Sequence, residues 1–327
     1  MQRREFLYAA GAAGLSVAAS RAAHGEPAPT PHPLRVTRSE SDRFRLDFAP
    51  PDARPLRILQ VTDTHFGKRD LVSQVEDQRS FVEIKRMVEQ LRPDFIVHTG
   101  DFINNDGGPK ISFEAIDVFD DLGVPWTHAL GNHDIGARSV SDFRQLMKHA
   151  AVGEFRGPAG DEYAFRLDIH RPGQSAADYT LFCFDSGFRK PQQRVNREQL
   201  EWFAAHMNRD AQQSIATPCL AMIHIPVVEF ETMRAANRQQ GNYGEKVCFD
   251  NDTGDTFAAF QKSARVRGVF SGHDHENDYC GTWEGIELVY GRVGGWSAYG
   301  DLPRGGRLIE IDLAAQTYSH RLVFPQA

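Results

Sequence analysis

From residue 56 onward the chain repeats one pattern. A short apolar run is followed by a loop dense in Asp, Asn, Gly and His, and then by a stretch with apolar residues every three or four positions. Apolar runs of four to eight residues bounded by turn formers predict strands. Such runs fall at Leu56–Val61, Phe95–Thr99, Val124–Leu130, Tyr179–Phe184, Leu220–Ile225, Val266–Ser271, Ile286–Tyr290 and Arg307–Ile311. Between them, Phe81, Ile84, Val88 and Leu91 share one helical face that Pro93 ends. Leu200, Phe203 and Met207 share another, with Asn196 as N-cap and Gln199 three residues on. Alternating strands and helices predict an α/β layered fold. The later strands are closer together with fewer helices, which predicts a second sheet packed on the first. No internal repeat or second domain boundary interrupts residues 35–327, so these read as a single domain.

Composition supports a globular chain: 327 residues, 41% hydrophobic and 25% charged, with a net charge of −7. No basic stretch long enough to track a nucleic-acid backbone is present, so nucleic acid is a poor candidate partner. The first residues need separate treatment. Arg3-Arg4-Glu5-Phe6-Leu7 leads into a weakly apolar run to Ala19, with small residues at Ser20 to Ala23 offering a cleavage site. This layout resembles a twin-arginine export signal over residues 1–23, and the apolar run is too short and too rich in Ala and Gly for a spanning helix. Its loss would take the net charge to −9. The expectation is export to the periplasm or outside a bacterial cell through the twin-arginine machinery, with no transmembrane segment in the mature chain. Pro27, Pro29, Pro31 and Pro33 then mark residues 24–34 as an extended linker. Of the four cysteines, Cys183 and Cys219 sit in apolar runs and read as core residues, whereas Cys248 and Cys280 either pair in an oxidising compartment or stay apart.

Five predicted strands run into loops that share one chemistry. They are Asp63-Thr64-His65, Gly100-Asp101, Gly131-Asn132-His133-Asp134, His224 and Gly272-His273-Asp274-His275. Singly, each has an ordinary explanation, since an Asp after a strand is more often a turn or cap residue. Together they set carboxylates, an amide and imidazoles on the carboxyl edge of an α/β sheet, where such folds build sites. Mixed oxygen and imidazole donors suit Zn, Mn, Fe and Co, and no thiolate among them points to a structural cysteine site.

In that order, Asp-x-His, Gly-Asp, Gly-Asn-His-Asp, a strand-end His and Gly-His-x-His resemble the calcineurin-like metallophosphoesterase signature, from about Arg57 to His275. The resemblance implies a four-layer α/β/β/α sandwich, two mixed sheets flanked by helices, around a dinuclear centre of divalent ions. It implies that Asp63, His65, Asp101 and His275 hold one metal. Asp101 as bridge, Asn132, His224 and His273 would hold the second, with His133 facing substrate. A phosphate ester, a phosphomonoester by preference, would be hydrolysed by metal-activated water. The alternatives are a phosphodiesterase acting on nucleotides or other diesters, and a non-catalytic metal or phosphate sensor. A phosphorylated small molecule is the expected partner.

Downstream, residues Phe270 to Gly281, Tyr290-Gly291 and Arg307 to Glu310 resemble a branch of purple-acid-phosphatase-like proteins that lacks the tyrosine ligand. Here Asn104 stands three residues after Asp101, where a true purple enzyme has Tyr, and His65 is an added imidazole. A colourless divalent pair is the implied outcome. Asn104 also replaces the Asp that supports the catalytic His in Ser/Thr phosphatases, leaving Asp134 or Asp106 to substitute. His98 and His128 read as core-facing or supporting residues. Trp283, Trp296 and Tyr299 either flank the substrate mouth or pack under loops. The long polar stretch Glu231 to Asp250 is either a lid or an insertion.

Overall fold

A computed structural model describes residues 33–67, 71–104, 115–116, 119–134, 164–186 and 194–326. The expected leader and residues 24–32 of the linker lie outside these, and Leu34 opens the first strand. In chain order the elements are β1 (Leu34–Glu40), β2 (Arg43–Phe48), β3 (Leu56–Val61), α1 (Leu71–Leu91), β4 (Phe95–His98), β5 (Trp126–His128), β6 (Ala164–His170), β7 (Tyr179–Phe184), α2 (Arg197–Gln212), β8 (Cys219–Met222), α3 (Glu229–Ala235), β9 (Gln239–Gln240), α4 (Asp255–Ser263), β10 (Val266–Ser271), β11 (Cys280–Trp283), β12 (Ile286–Tyr290), β13 (Gly306–Asp312) and β14 (Thr317–Val323).

Two mixed sheets result. Nine strands run β1-β2-β6-β7-β8-β10-β12-β11-β9 and five run β14-β13-β3-β4-β5. Period-two alternation explains their layering. Along β7, Tyr179, Leu181 and Cys183 enter a core shared with Ile58, Leu59, Ile96 and Ile309 of the smaller sheet. Phe182 and Phe184 point the other way, onto Trp202 and Phe203 of α2 and Phe260 of α4. The sheets also touch directly, with Phe270 of β10 and Tyr318 of β14 edge to face at 6.0 Å. Helix α1 buries Ile84, Met87 and Val88 in the inter-sheet core's cluster. The expected two-sheet α/β architecture is therefore the one observed, and Asn196 caps α2 as expected, accepting from the Gln199 N–H.

The eight expected strands are present: four have the expected bounds, β13 is one residue longer at each end, β8 starts one residue earlier and ends three sooner, and β4 and β5 are shorter by one and four residues. Several others escape a hydrophobicity reading. β14 alternates exposed and half-buried residues. Each residue of β6 is buried, yet it carries Arg166 and Asp168. That burial is tolerated because Arg166 pairs with Asp168 at 2.7 Å and with Asp210 of α2 at 2.8 Å. All four cysteines are free thiols, and Cys248 is exposed. Residues 231–250 form a strap along the segment after His275. β9 pairs with β11, the Gly244 N–H donates to the Glu276 carbonyl at 3.0 Å, and the Asn242 N–H donates to Asp278 at 2.6 Å. Among the described residues no helix is long and apolar enough to cross a membrane.

Candidate metal centre

The parallel strands β3, β4, β5, β8 and β10 all end at one edge, and the loops leaving them carry every expected site residue. Tight turning is needed to aim those side chains back at a common point. Asp63, His65, Asp101 and His273 all adopt left-handed backbone, with φ of 54°, 48°, 52° and 79°, a conformation that costs energy for residues with a Cβ and concentrates at functional sites. Two glycines are required by close approach. A Cβ on Gly131 would lie 2.2 Å from Asp101 Oδ1, and one on Gly272 would lie 2.0 Å from Thr62 Oγ1.

Asp134 ties the second loop to the third. Its buried carboxylate accepts the N–H groups of Asp101 at 3.0 Å, Phe102 at 2.7 Å, Ile103 at 3.1 Å and Gly131 at 2.7 Å. It faces the backbone and not the His133 ring, so it does not fill the supporting role that the missing Asp at position 104 left open. Asp106 lies outside the described residues. Ser186 is a second holding residue that the sequence reading did not single out: its hydroxyl accepts the N–H groups of His224 and Ile225, both at 2.8 Å. No local motif marks Ser186, whereas Asp134 is marked as the last residue of Gly-Asn-His-Asp.

The donors converge in two groups. In the first, His275 Nε2 lies 3.3 Å from Asp63 Oδ1, and His65 Nε2 lies 3.2 Å from His275 Nε2. In the second, His224 Nε2 lies 3.2 Å from Asn132 Oδ1 and 3.3 Å from His273 Nδ1. Asp101 joins them, its Oδ2 standing 3.5 Å from His65 Nε2 and 3.2 Å from His224 Nε2. Asp63–His65–His275 and Asp101–His224–His273 each have their donor atoms within 4.8 Å of one another. All seven expected ligands are thus brought together. The His133 ring stands 4.9 Å from the His65 ring, and the backbone N–H of His133 donates to Asp101 Oδ1 at 2.8 Å. His98 and His128 are buried and stack on each other at 5.2 Å, and neither belongs to the two donor groups.

Electrostatics bind the halves. Burial works to raise Asp63, but the charge of His275 and its hydrogen bond hold that carboxyl well below the usual range. Asp101 is likewise held down against burial, by His224. Burial alone would keep His224 neutral, yet Asp101 and Asp63 push it up to about 10. His65 and His273 go the other way, taken by burial to about 3 and about 4. The Thr99 carbonyl accepts a hydrogen bond from His224 Nδ1 at 2.8 Å, so that nitrogen carries the proton and Nε2 faces the cluster. Imidazole nitrogens set this close to one another and to carboxylate oxygens, in a largely buried site with a half-buried rim at Asn132, His133 and His273, suit cation binding. Two divalent ions against two carboxylates would leave the site positive enough to accept a phosphate anion.

Comparison with known proteins agrees with this geometry. Residues 56–277 match the calcineurin-like phosphoesterase family. The chain belongs to that family. It is 31% identical over 304 residues, covering 80% of this chain and 76% of the relative, to a protein named probable inactive purple acid phosphatase 28 from Arabidopsis thaliana. It is 26% identical to a probable cyclic nucleotide phosphodiesterase from Synechococcus, over 81% of this chain and 91% of that one. Among solved structures it resembles a dimetal phosphatase from Danio rerio, with a TM-score of 0.57 and 12% identity over 78% of this chain and 93% of the other. That likeness speaks to the fold. The phosphoesterase family, within which dinuclear metal centres are the norm, accounts for the donor set at the strand ends.

Proposed function

We propose that this calcineurin-like phosphoesterase hydrolyses a phosphate ester, a phosphomonoester by preference, at a centre of two divalent ions. One would be held by Asp63, His65, Asp101 and His275, and the other by Asp101, Asn132, His224 and His273. The observation that carries the reading is the position of Asp101 Oδ2, within 3.5 Å of an imidazole from each group. Bound ions would supply a water of lowered pKa and would neutralise charge on the phosphate oxygens. The chain's own residues do the rest. Asp101, fixed through its backbone by Asp134 and through its side chain by the His133 N–H, holds the two donor groups in register. His133 sits beside His65 at the half-buried rim, where its ring can hand a proton to the departing alkoxide. No serine or cysteine nucleophile is needed. The word inactive in the Arabidopsis protein's name belongs to that protein; both donor groups and His133 stand together in this one.

A phosphodiesterase acting on nucleotides is the second reading, favoured by the relation to the Synechococcus protein. A sensor without turnover ranks below both. The Arg3-Arg4 leader supports export through the twin-arginine route.

The deciding experiment restores Mn, Zn, Fe, Co or Mg in turn to metal-depleted protein, with p-nitrophenyl phosphate and bis-p-nitrophenyl phosphate as substrates. Metal-dependent turnover that is abolished in Asp101→Ala and reduced about 100-fold or more in His133→Ala is expected, faster on the monoester. Tight metal binding without turnover of either ester would overturn the enzyme reading in favour of the sensor. A faster diester rate would select the second reading.

A further inference from the structure

Tyr299 combines two properties that rarely coincide. It is 54% exposed, yet it is held from several directions. Its ring stacks on that of His275, centroids 3.9 Å apart and planes 27° off parallel. Its hydroxyl donates to the Glu245 carboxylate, 2.9 Å from each oxygen. Glu245 is itself fixed, since its Oε1 accepts the Glu276 N–H at 2.8 Å and its carbonyl accepts from Asn277 Nδ2 at 3.1 Å. The backbone around the ring is clamped by buried Arg304, whose guanidinium donates to the carbonyls of Ala298 at 2.8 Å, Tyr299 at 3.3 Å and Gly300 at 2.9 Å. The other aromatic candidates are used up structurally. Trp296 lies under Arg79 and donates to Glu83 of α1 at 2.7 Å, and Trp283 pairs with Arg238.

One face of the Tyr299 ring therefore covers a residue of the metal centre, and the other is open to solvent. Holding an exposed aromatic ring still removes in advance the ordering cost that a stacking ligand would otherwise meet. We propose that the open face of Tyr299 is a platform on which the leaving group of the ester stacks, so that the preferred substrates are phosphate esters whose leaving group carries a planar aromatic ring. Such a ring lies in either an aryl alcohol or a nucleoside, and both present the same π face. The inference rests on the phosphoesterase reading and narrows its substrate class.

The test uses full-length, metal-loaded protein with Tyr299→Leu and Tyr299→Trp. kcat/KM is measured on p-nitrophenyl phosphate, a nucleoside monophosphate and glycerol phosphate, beside metal content per chain. Binding of phenylphosphonate and ethylphosphonate is followed by calorimetry. In Tyr299→Leu the preference for the aromatic ester over glycerol phosphate, and for phenylphosphonate over ethylphosphonate, is expected to fall about 3- to 10-fold. Tyr299→Trp is expected to keep it. If only the aryl ester loses its advantage, aryl phosphates are the class; if the nucleotide loses it as well, nucleotides are included. An equal fall for all substrates, tracking metal loss, would reduce Tyr299 to a support for His275 and overturn the proposal, as would an unchanged preference. Absence of turnover in the unmutated protein would count against phosphoester hydrolysis, while the phosphonate arm would still test Tyr299.

Discussion

The two sheets meet at one edge and bring different chemistry to it. From the five-stranded sheet come Asp63, His65, Asp101 and Asn132, which include both carboxylates. From the nine-stranded sheet come His224, His273 and His275, all imidazoles. Neither half is comfortable alone: Asp63 and Asp101 repel one another, and buried imidazoles resist protonation. Across the gap each carboxylate finds a partner, Asp63 with His275 at 3.3 Å and Asp101 with His224 at 3.2 Å. Charge is placed on one sheet and its compensation on the other, so the centre exists only while the sheets stay in register. The Thr62–Val293 bridge and the His273 N–H donated to Asp63 hold that register at the site itself.

The severest way to break this arrangement is to neutralise the shared residue. If the halves were independent, Asp101→Asn would leave the Asp63–His65–His275 group able to keep its ion. With Asp101 as the link, the variant is expected to lose at least one ion per chain and about 1,000-fold in kcat/KM. Metal content by mass spectrometry and turnover on one ester give the answer together. Two ions retained with near-normal turnover would show that Asp101 does not join the halves.

Next in size is a pH effect that probes the compensation. His224 is pushed up to about 10, so below that pH it is protonated when no ion is bound. An ion taking Nε2 must displace that proton. Affinity for Mn is therefore expected to rise with pH, about tenfold per unit for each proton released, and so about 100-fold between pH 6 and pH 8. The sign follows from the raised pKa: the protonated form competes below it, and competition fades as pH climbs towards it. His224→Asn carries no such proton, and a slope as steep in that variant would place the competing proton elsewhere.

How legible all this was in the sequence differs between the halves as well. The motif loops announce themselves because the residues a metal needs are compositionally unusual at strand ends, and all seven donors and His133 converge. The strands behind β3, β4, β5, β7, β8 and β10 were readable for a related reason, since strands buried on both faces are runs of apolar residues. The edges were not. β1, β9 and β14 have polar, exposed sequences, and their membership is decided by backbone pairing that leaves no mark on hydrophobicity. β6 was hidden by Arg166 and Asp168, whose burial makes sense only once Asp210 of a distant helix is beside them. Asp134 is visible as the end of Gly-Asn-His-Asp, but its hold on the backbone of two loops is not, because a turn points its carboxylate away from its sequence neighbour His133.

The mildest perturbation tests the contact between the sheets without replacing a donor residue. Gly272 precedes His273 in the nine-stranded sheet's loop and presses on the end of β3 in the other sheet. A Cβ there would stand 2.0 Å from Thr62 Oγ1 and 2.5 Å from Asp63 Oδ2. Neither atom can retreat cheaply, since Thr62 Oγ1 also donates to Asp63 Oδ2 at 2.7 Å and the His273 N–H donates to the same carboxylate. The backbone loops must therefore part by a fraction of the collision. Gly272→Ala is expected to cost about 1–3 kcal/mol of stability, as overpacking of a tight interior does, read as a lower denaturation midpoint with an unchanged denaturant slope. Because the displaced Asp63 and His275 belong to one donor group and face each other from opposite sheets, metal affinity should fall with stability. A stable Gly272→Ala protein with full metal affinity would mean that the loops can separate freely. The centre would then be held together by its ions and not by the fit of one sheet against the other.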